Sequence, residues 1–139
     1  LLKKYSIKPR DFVKAGEESI RIQKFLKFIG FDAGLIRRIS ICAYEAEMNV
    51  VMHGGDGEMS MLVDPKEIVL EVADDGPGIP DIGLALQEGY STASPEHREM
   101  GFGAGMGLPN IKKNADSLDI HSGNGQGVHL TMCFEVKTR

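Results

Sequence analysis

Seventeen glycines are present, and most stand in four clusters, at 54–57, 76–78, 101–107 and 123–127. Glycine inside a helix or strand costs backbone entropy, so regular elements are expected to stop at these clusters rather than run through them. The clusters therefore divide the chain into short segments of defined length. They also outnumber what a short domain needs for turns alone, which points to backbone that must approach another molecule closely.

The segments have readable periods. Tyr5–Ile7 reads as a short first strand ended by Pro9. Asp11 reads as the cap of a first helix, with Phe12, Ile20, Ile22, Phe25, Leu26 and Ile29 on a helical period and Gly30 as its stop. A second helix is expected from about Asp32 to His53, with Ile36, Ile39, Ala43, Ala46 and Val50 as its buried stripe. Residues 58–63 and 67–73 alternate apolar and polar side chains around Asp64-Pro65-Lys66, a hairpin signal. A short helix is expected over 82–88, a loop over 89–104, a helix over 108–115, and a closing strand pair over 117–122 and 128–136. Helices, hairpin, long loop, helix and hairpin in that order define an α+β two-layer sandwich with a largely antiparallel sheet.

The 139 residues suffice for one domain with a core, taken here as 1–139. A net charge of −4 argues against direct nucleic-acid binding, which leans on a basic face, and the absence of Trp leaves no base-stacking platform. Cys42 and Cys133 are far apart without metal-ligand spacing, so both are expected to be buried free thiols. No apolar run approaches a membrane span and no secretory leader pattern is present, so a cytoplasmic setting without membrane attachment is expected. The chain opens on Leu1 rather than Met, so a few native residues are expected upstream.

Three places carry chemistry. Glu45, Asn49 and His53 are spaced i, i+4, i+8 and share one face of the second helix. That stripe is readable as solvated polar surface. It is equally readable as a carboxylate able to deprotonate a hydroxyl beside an amide oxygen able to ligate Mg²⁺. Glu47, Glu17 and Glu18 read as solvated charge. Asp74, at a strand end, is followed by Gly76, Gly78 and Ile79. This is a turn by composition, and also a place where an aspartate meets an exocyclic amine while flat backbone admits a ring. Gly101, Gly103, Gly105 and Gly107 alternate ahead of a helix, which makes either a hinge or a phosphate cradle of N–H groups at a helix N-terminus. No Gly-Lys-Ser/Thr follows, and no strand leads into these glycines, so Walker and Rossmann readings fail.

The three elements, in this order, resemble the GHKL ATPase superfamily (the Bergerat, or histidine-kinase-like, ATPase fold) of histidine kinases, gyrase B and MutL. Glu45-Ala-Glu-Met-Asn49 with His53 looks like its N box, Asp74-Asp-Gly76-Pro-Gly78-Ile79 like its first glycine box, and Gly103-Ala-Gly105-Met106-Gly107-Leu108 like its second. The resemblance covers roughly residues 20–136. It implies a mixed, mostly antiparallel sheet with helices on one face. It further implies Glu45 as general base, Asn49 on Mg²⁺, Asp74 on the adenine amine, and Gly76 and Gly78 around the base. Gly103, Gly105 and Gly107, with the N–H of Leu108, would hold the phosphates. Residues 89–104 would be the ATP lid, where Ser91, Thr92 and Arg98 either touch phosphate or belong to solvated lid surface. Two departures stand out: Val128 follows Gly125-Gln-Gly127 where the family often has Thr, and Gly101-Phe102 lengthens the second glycine box.

A single domain of this length is most similar to the anti-sigma factors that are serine/threonine kinases. That resemblance implies ATP and Mg²⁺ as cofactors, a sigma factor or a STAS-type antagonist as partner, and a homodimer. An ATP-gated protein-binding module without phosphotransfer, and a stand-alone histidine-kinase-type catalytic domain, are the alternatives.

Overall fold

The computed structural model describes residues 1–9, 11–53, 55–79, 82–87, 107–122 and 127–137. The order of elements is β1 (Leu2–Ile7), α1 (Glu17–Ile29), α2 (Ala33–His53), β2 (Gly57–Val63), β3 (Glu67–Asp74), α3 (Ile82–Ala85), α4 (Gly107–Asn114), β4 (Ser117–Ser122) and β5 (Val128–Glu135). The strands form one sheet in the order β1-β2-β3-β5-β4, and every pairing among them is antiparallel. The lid expected over 89–104 lies outside the described residues.

Alternation along the strands decides which face is covered. Met59, Met61, Ile68, Leu70, Val72, Leu130, Met132 and Phe134 are buried against the helices, while Glu58, Leu62, Glu71 and His129 between them are exposed. From α2, Ile36, Ile39, Ala43, Ala46 and Val50 enter the same core, as their spacing predicts. The result is two layers, helices over one sheet face.

β1 begins at Leu2 rather than Tyr5, since its backbone pairs with β2 from Leu2 opposite Leu62 onward. Leu1–Lys4 lack the alternation that marks a strand. Lys3 faces the helices nonetheless, with its ammonium 4.6 Å from the centre of the Phe25 ring.

α1 starts at Glu17, not at Asp11. Asp11 Oδ1 accepts the N–H of Lys14 in a separate turn, and Gly16 then adopts φ 93°, a left-handed conformation that a helix cannot include. The missing cap comes from α2. Glu47, 2% exposed, accepts the N–H groups of Gly16 (3.1 Å), Glu18 (3.3 Å) and Ser19 (3.0 Å), and the Ser19 hydroxyl at 2.6 Å. Its expected role as solvated charge is therefore wrong. A carboxylate on a neighbouring helix satisfies the first-turn donors that local sequence leaves unpaired.

α1 ends as expected at Gly30, φ 99°, whose N–H returns to Leu26 O at 3.1 Å. Asp32 caps α2 by accepting the N–H of Leu35 at 3.1 Å. Arg38 of α2 ties down the far end of α4: its Nε donates to Asn114 O at 2.9 Å and its guanidinium pairs with Asp116 at 2.7 Å.

Both thiols are free. Cys42 is fully buried and burial pushes its thiol up to about 12. Cys133 is only half-buried, because strand alternation turns it to the uncovered sheet face between Met132 and Phe134.

Candidate functional site

α2 runs 21 residues, and Glu45 and Asn49 lie on its half-buried margin rather than on its solvated side. α4 crosses that margin. A β-carbon built on Gly107 would stand 3.2 Å from Glu45 Oε2, 3.5 Å from Asn49 Oδ1 and 4.0 Å from Asn49 Nδ2. The first residue of α4 thus lies against two members of the stripe. Leu108 and Pro109 are buried behind it and anchor the turn, and proline there has no N–H to leave unpaired. The first-turn N–H groups of α4 have no partner within the helix, and the residue that begins this turn, Gly107, is the one that lies against Glu45 and Asn49.

Burial raises the Glu45 carboxyl above the usual carboxylate range, and a hydrogen bond from the Asn110 side chain partly offsets this. Asn110 was missed in the sequence. The available signal was its type: Asn is a poor residue inside a helix, and it sits in the first turn behind a glycine run.

The first glycine box is held by its own aspartate. Asp74 Oδ1 accepts the N–H of Gly76 at 2.8 Å and that of Gly55 at 3.4 Å. Gly55, just past α2, packs so closely that a β-carbon would fall 2.0 Å from Asp75 Oδ1 and 2.9 Å from the Gly76 nitrogen. Only glycine lets the end of α2 meet this turn. Gly78 has φ 87° and the turn continues to Ile79.

Ile79 brings in a second residue that sequence reading missed. Its N–H donates to Ser122 Oγ at 2.7 Å, and that hydroxyl donates to Gly127 O at 2.7 Å. Gly127 has φ 70°, and a β-carbon there would fall 2.0 Å from Asp74 O. Val128 is directly opposite both Asp74 and Ser122 in the sheet register. The hydroxyl that the family often places at the Val128 position is therefore absent beside Asp74. One strand further on, Ser122 clamps the glycine box to the final turn.

Of the expected site residues, Glu45, Asn49, Gly107 and Leu108 come together at the α2–α4 crossing, and Asp74, Gly76, Gly78 and Ile79 form one turn at the end of β3. His53 closes α2, but the role expected of its side chain lies outside the described residues, as do Gly103, Gly105 and Met106. α2 links the two groups: it carries Glu45 and Asn49, and just past its end the Gly55 N–H donates to Asp74 Oδ1 at 3.4 Å.

The chain belongs to the histidine kinase-like ATPase domain family, whose profile matches residues 20–134. It is similar to the serine/threonine-protein kinase RsbT of Bacillus subtilis (strain 168), 30% identical over 108 residues, covering 75% of each chain. It is also 30% identical over 102 residues to the anti-sigma F factor of Thermoanaerobacter sp. (strain X514), covering 70% of this chain and 68% of that one. Among solved structures, the RsbU and RsbW domains of Rv1364c from Mycobacterium tuberculosis superpose with a TM-score of 0.62 at 15% identity, over 99% of this chain and 33% of that one. The mycobacterial sensor histidine kinase MprB superposes with a TM-score of 0.56 at 13% identity over the whole of both chains.

Proposed function

We propose that this protein is an anti-sigma regulatory factor that binds Mg-ATP and phosphorylates a serine or threonine on a small antagonist protein. The observation that carries the reading is the meeting of Glu45, Asn49 and Gly107. It puts a half-buried carboxylate and an amide oxygen beside the N-terminus of a helix that follows a glycine run.

The residues suit the nucleotide. Asp74 Oδ1 is engaged with backbone N–H groups, which leaves Oδ2 to accept from an adenine amine while Gly76 and Gly78 admit the ring. The N–H groups of Gly107 and Leu108, with those of Gly103 and Gly105, would cradle phosphate. Among the described residues no group of three or more His, Cys, Asp or Glu is placed to hold a metal ion. A single oxygen, Asn49 Oδ1, suits Mg²⁺, which keeps several waters and leans on phosphate oxygens. Bound there, Mg²⁺ supplies charge neutralisation on the phosphates.

Glu45 then acts on the incoming hydroxyl. It takes the serine proton as the oxygen forms its bond to the γ-phosphorus and the bond from that phosphorus to the β-γ bridging oxygen breaks, giving phosphoserine and ADP. Its raised pKa makes it a stronger base than an exposed glutamate.

The test is incubation with γ-labelled ATP, Mg²⁺ and purified STAS-type antagonists. An acid-stable phosphoprotein that disappears with Glu45→Ala supports the reading. An acid-labile product identifies a histidine kinase instead, and ATP binding without any phosphoprotein identifies a gated binding module.

A further inference from the structure

A groove of about 650 Å³ runs along the outer side of α2, with α1 as its opposite wall. Lys27 and Phe31 line the α1 side, Arg37 and Tyr44 the α2 side, and Glu45 with Asn110 stand at the end nearest α4. We propose that this groove receives the hydroxyl-bearing segment of the protein partner, and that it selects a segment combining apolar side chains with negative charge. The proposal rests on the reading of Glu45 as the base that meets that hydroxyl.

Three observations support it. First, the groove is continuous with the candidate site: Glu45 belongs to both, so a segment lying in the groove presents its side chains to the base without any rearrangement of α2. Second, its walls carry aromatic surface suited to anchoring. Tyr44 is 43% exposed and Phe31 is half-buried against the core, and both line the groove. Ile36 and Ile41 add aliphatic surface to the lining, so the groove offers anchoring for apolar side chains.

Third, the charge is complementary to an acidic partner. Lys27 and Arg37 are exposed cations with no ion-pair partner among the described residues, whereas the adjacent Arg38 is taken up by Asp116 and Asn114. Glu45 is the sole carboxylate among the described lining residues. Two free cations on one groove are set against a chain whose net charge is −4. A basic segment, attracted to the molecule as a whole, would meet two like charges here with Glu45 as the one carboxylate among the described lining residues, while an acidic segment, repelled elsewhere, finds its counter-charges at this place.

The probe is a pair of fluorescent 15-residue peptides with one central serine, leucines at helical spacing, and flanks that are either glutamates or lysines. Binding to the full chain is read by anisotropy with Mg-ADP present, and phosphorylation separately with Mg-ATP. The acidic peptide is expected to bind and the basic one not to. The double variant Lys27→Glu/Arg37→Glu should weaken the acidic peptide about tenfold or more and admit the basic one. Its ADP affinity should match that of the parent. Tyr44→Ala should weaken the acidic peptide without admitting the basic one.

Acidic-peptide affinity indifferent to the double reversal overturns the proposal, as does failure of both peptides to bind. Charge-selective binding without phosphorylation keeps the groove and removes the kinase reading. Phosphorylation that is equal in parent and double variant does the reverse.

Discussion

Gly107 lies so close to Glu45 that a β-carbon at Gly107 would stand 3.2 Å from the Glu45 carboxylate. The clash is with the tip of a flexible side chain, so Gly107→Ala should fold. Alanine is the better helix former by about 0.5–1 kcal/mol, so the melting temperature should hold or rise. The displaced Glu45 should lower phosphotransfer by tenfold or more, on the order of the cost of a misplaced catalytic group. Thermal denaturation and a phosphotransfer assay on the same sample check this. A fall in both together would mean that the crossing is only structural.

Glu45 predicts a pH profile. Burial raises its pKa, so the base form is lost at a higher pH than for an exposed glutamate near about 4.3. Activity should therefore rise with pH through a midpoint above that value. The Asn110 side chain pulls the pKa down, so Asn110→Leu should move the midpoint up. The sign for stability is opposite. A raised folded pKa contributes stability below the unfolded pKa, which is lost as pH rises through the folded one. Glu45→Gln should thus be inactive yet no less stable at neutral pH, as denaturant titration would show.

Glu47 should behave in the contrary way. Glu47→Ala removes the shared acceptor of three backbone N–H groups and the Ser19 hydroxyl, all at the start of α1. The expected loss is about 2–4 kcal/mol in chemical denaturation, since donors left buried lose their partners. Glu47→Gln keeps the acceptor oxygen and should recover part of it. An unchanged stability in the alanine variant would show that water satisfies these donors.

Ser122→Ala should separate the first glycine box from the final turn. Both hydrogen bonds of the hydroxyl are lost, leaving the Ile79 N–H without its acceptor, for an expected cost of about 1–2 kcal/mol. Since Ile79 belongs to the turn beside Asp74, ATP affinity should fall more than stability does. Calorimetric titration with ATP and ADP measures it. An affinity unchanged within error would show that this clamp does not shape the base pocket.

Asp116 sets the acid limit of folding in part. The N–H of Glu135 and the Arg38 guanidinium hold its carboxyl below the usual carboxylate range against a smaller desolvation effect. A depressed folded pKa gives stability that is present above the unfolded pKa and lost as pH falls through the folded one. Asp116→Asn should therefore flatten the acid limb of the stability curve and lower stability at neutral pH.

The parts of the fold that were legible in the sequence are those governed by neighbours along the chain. The β2–β3 hairpin, β4 and the end of α1 at Gly30 each follow from a short-range signal, either a period of two or a left-handed glycine. The start of α1 was misread because its cap, Glu47, is 28 residues or more from the groups it holds. A side chain on one helix that caps another leaves no local pattern.

The same division applies to the candidate site. Sequence alone determined the inventory: a stripe of Glu45 and Asn49, a glycine turn after Asp74, and a glycine run ahead of a helix, because periodicity and backbone freedom are properties of adjacent residues. Only the tertiary structure decided that Gly107 meets Glu45, that Asn110 tunes that carboxyl, and that Ser122 stands in the strand next to the one where Val128 lacks a hydroxyl. These depend on how α4 crosses α2 and on strand order β3-β5-β4, which buried apolar area fixes across the whole core rather than any one segment.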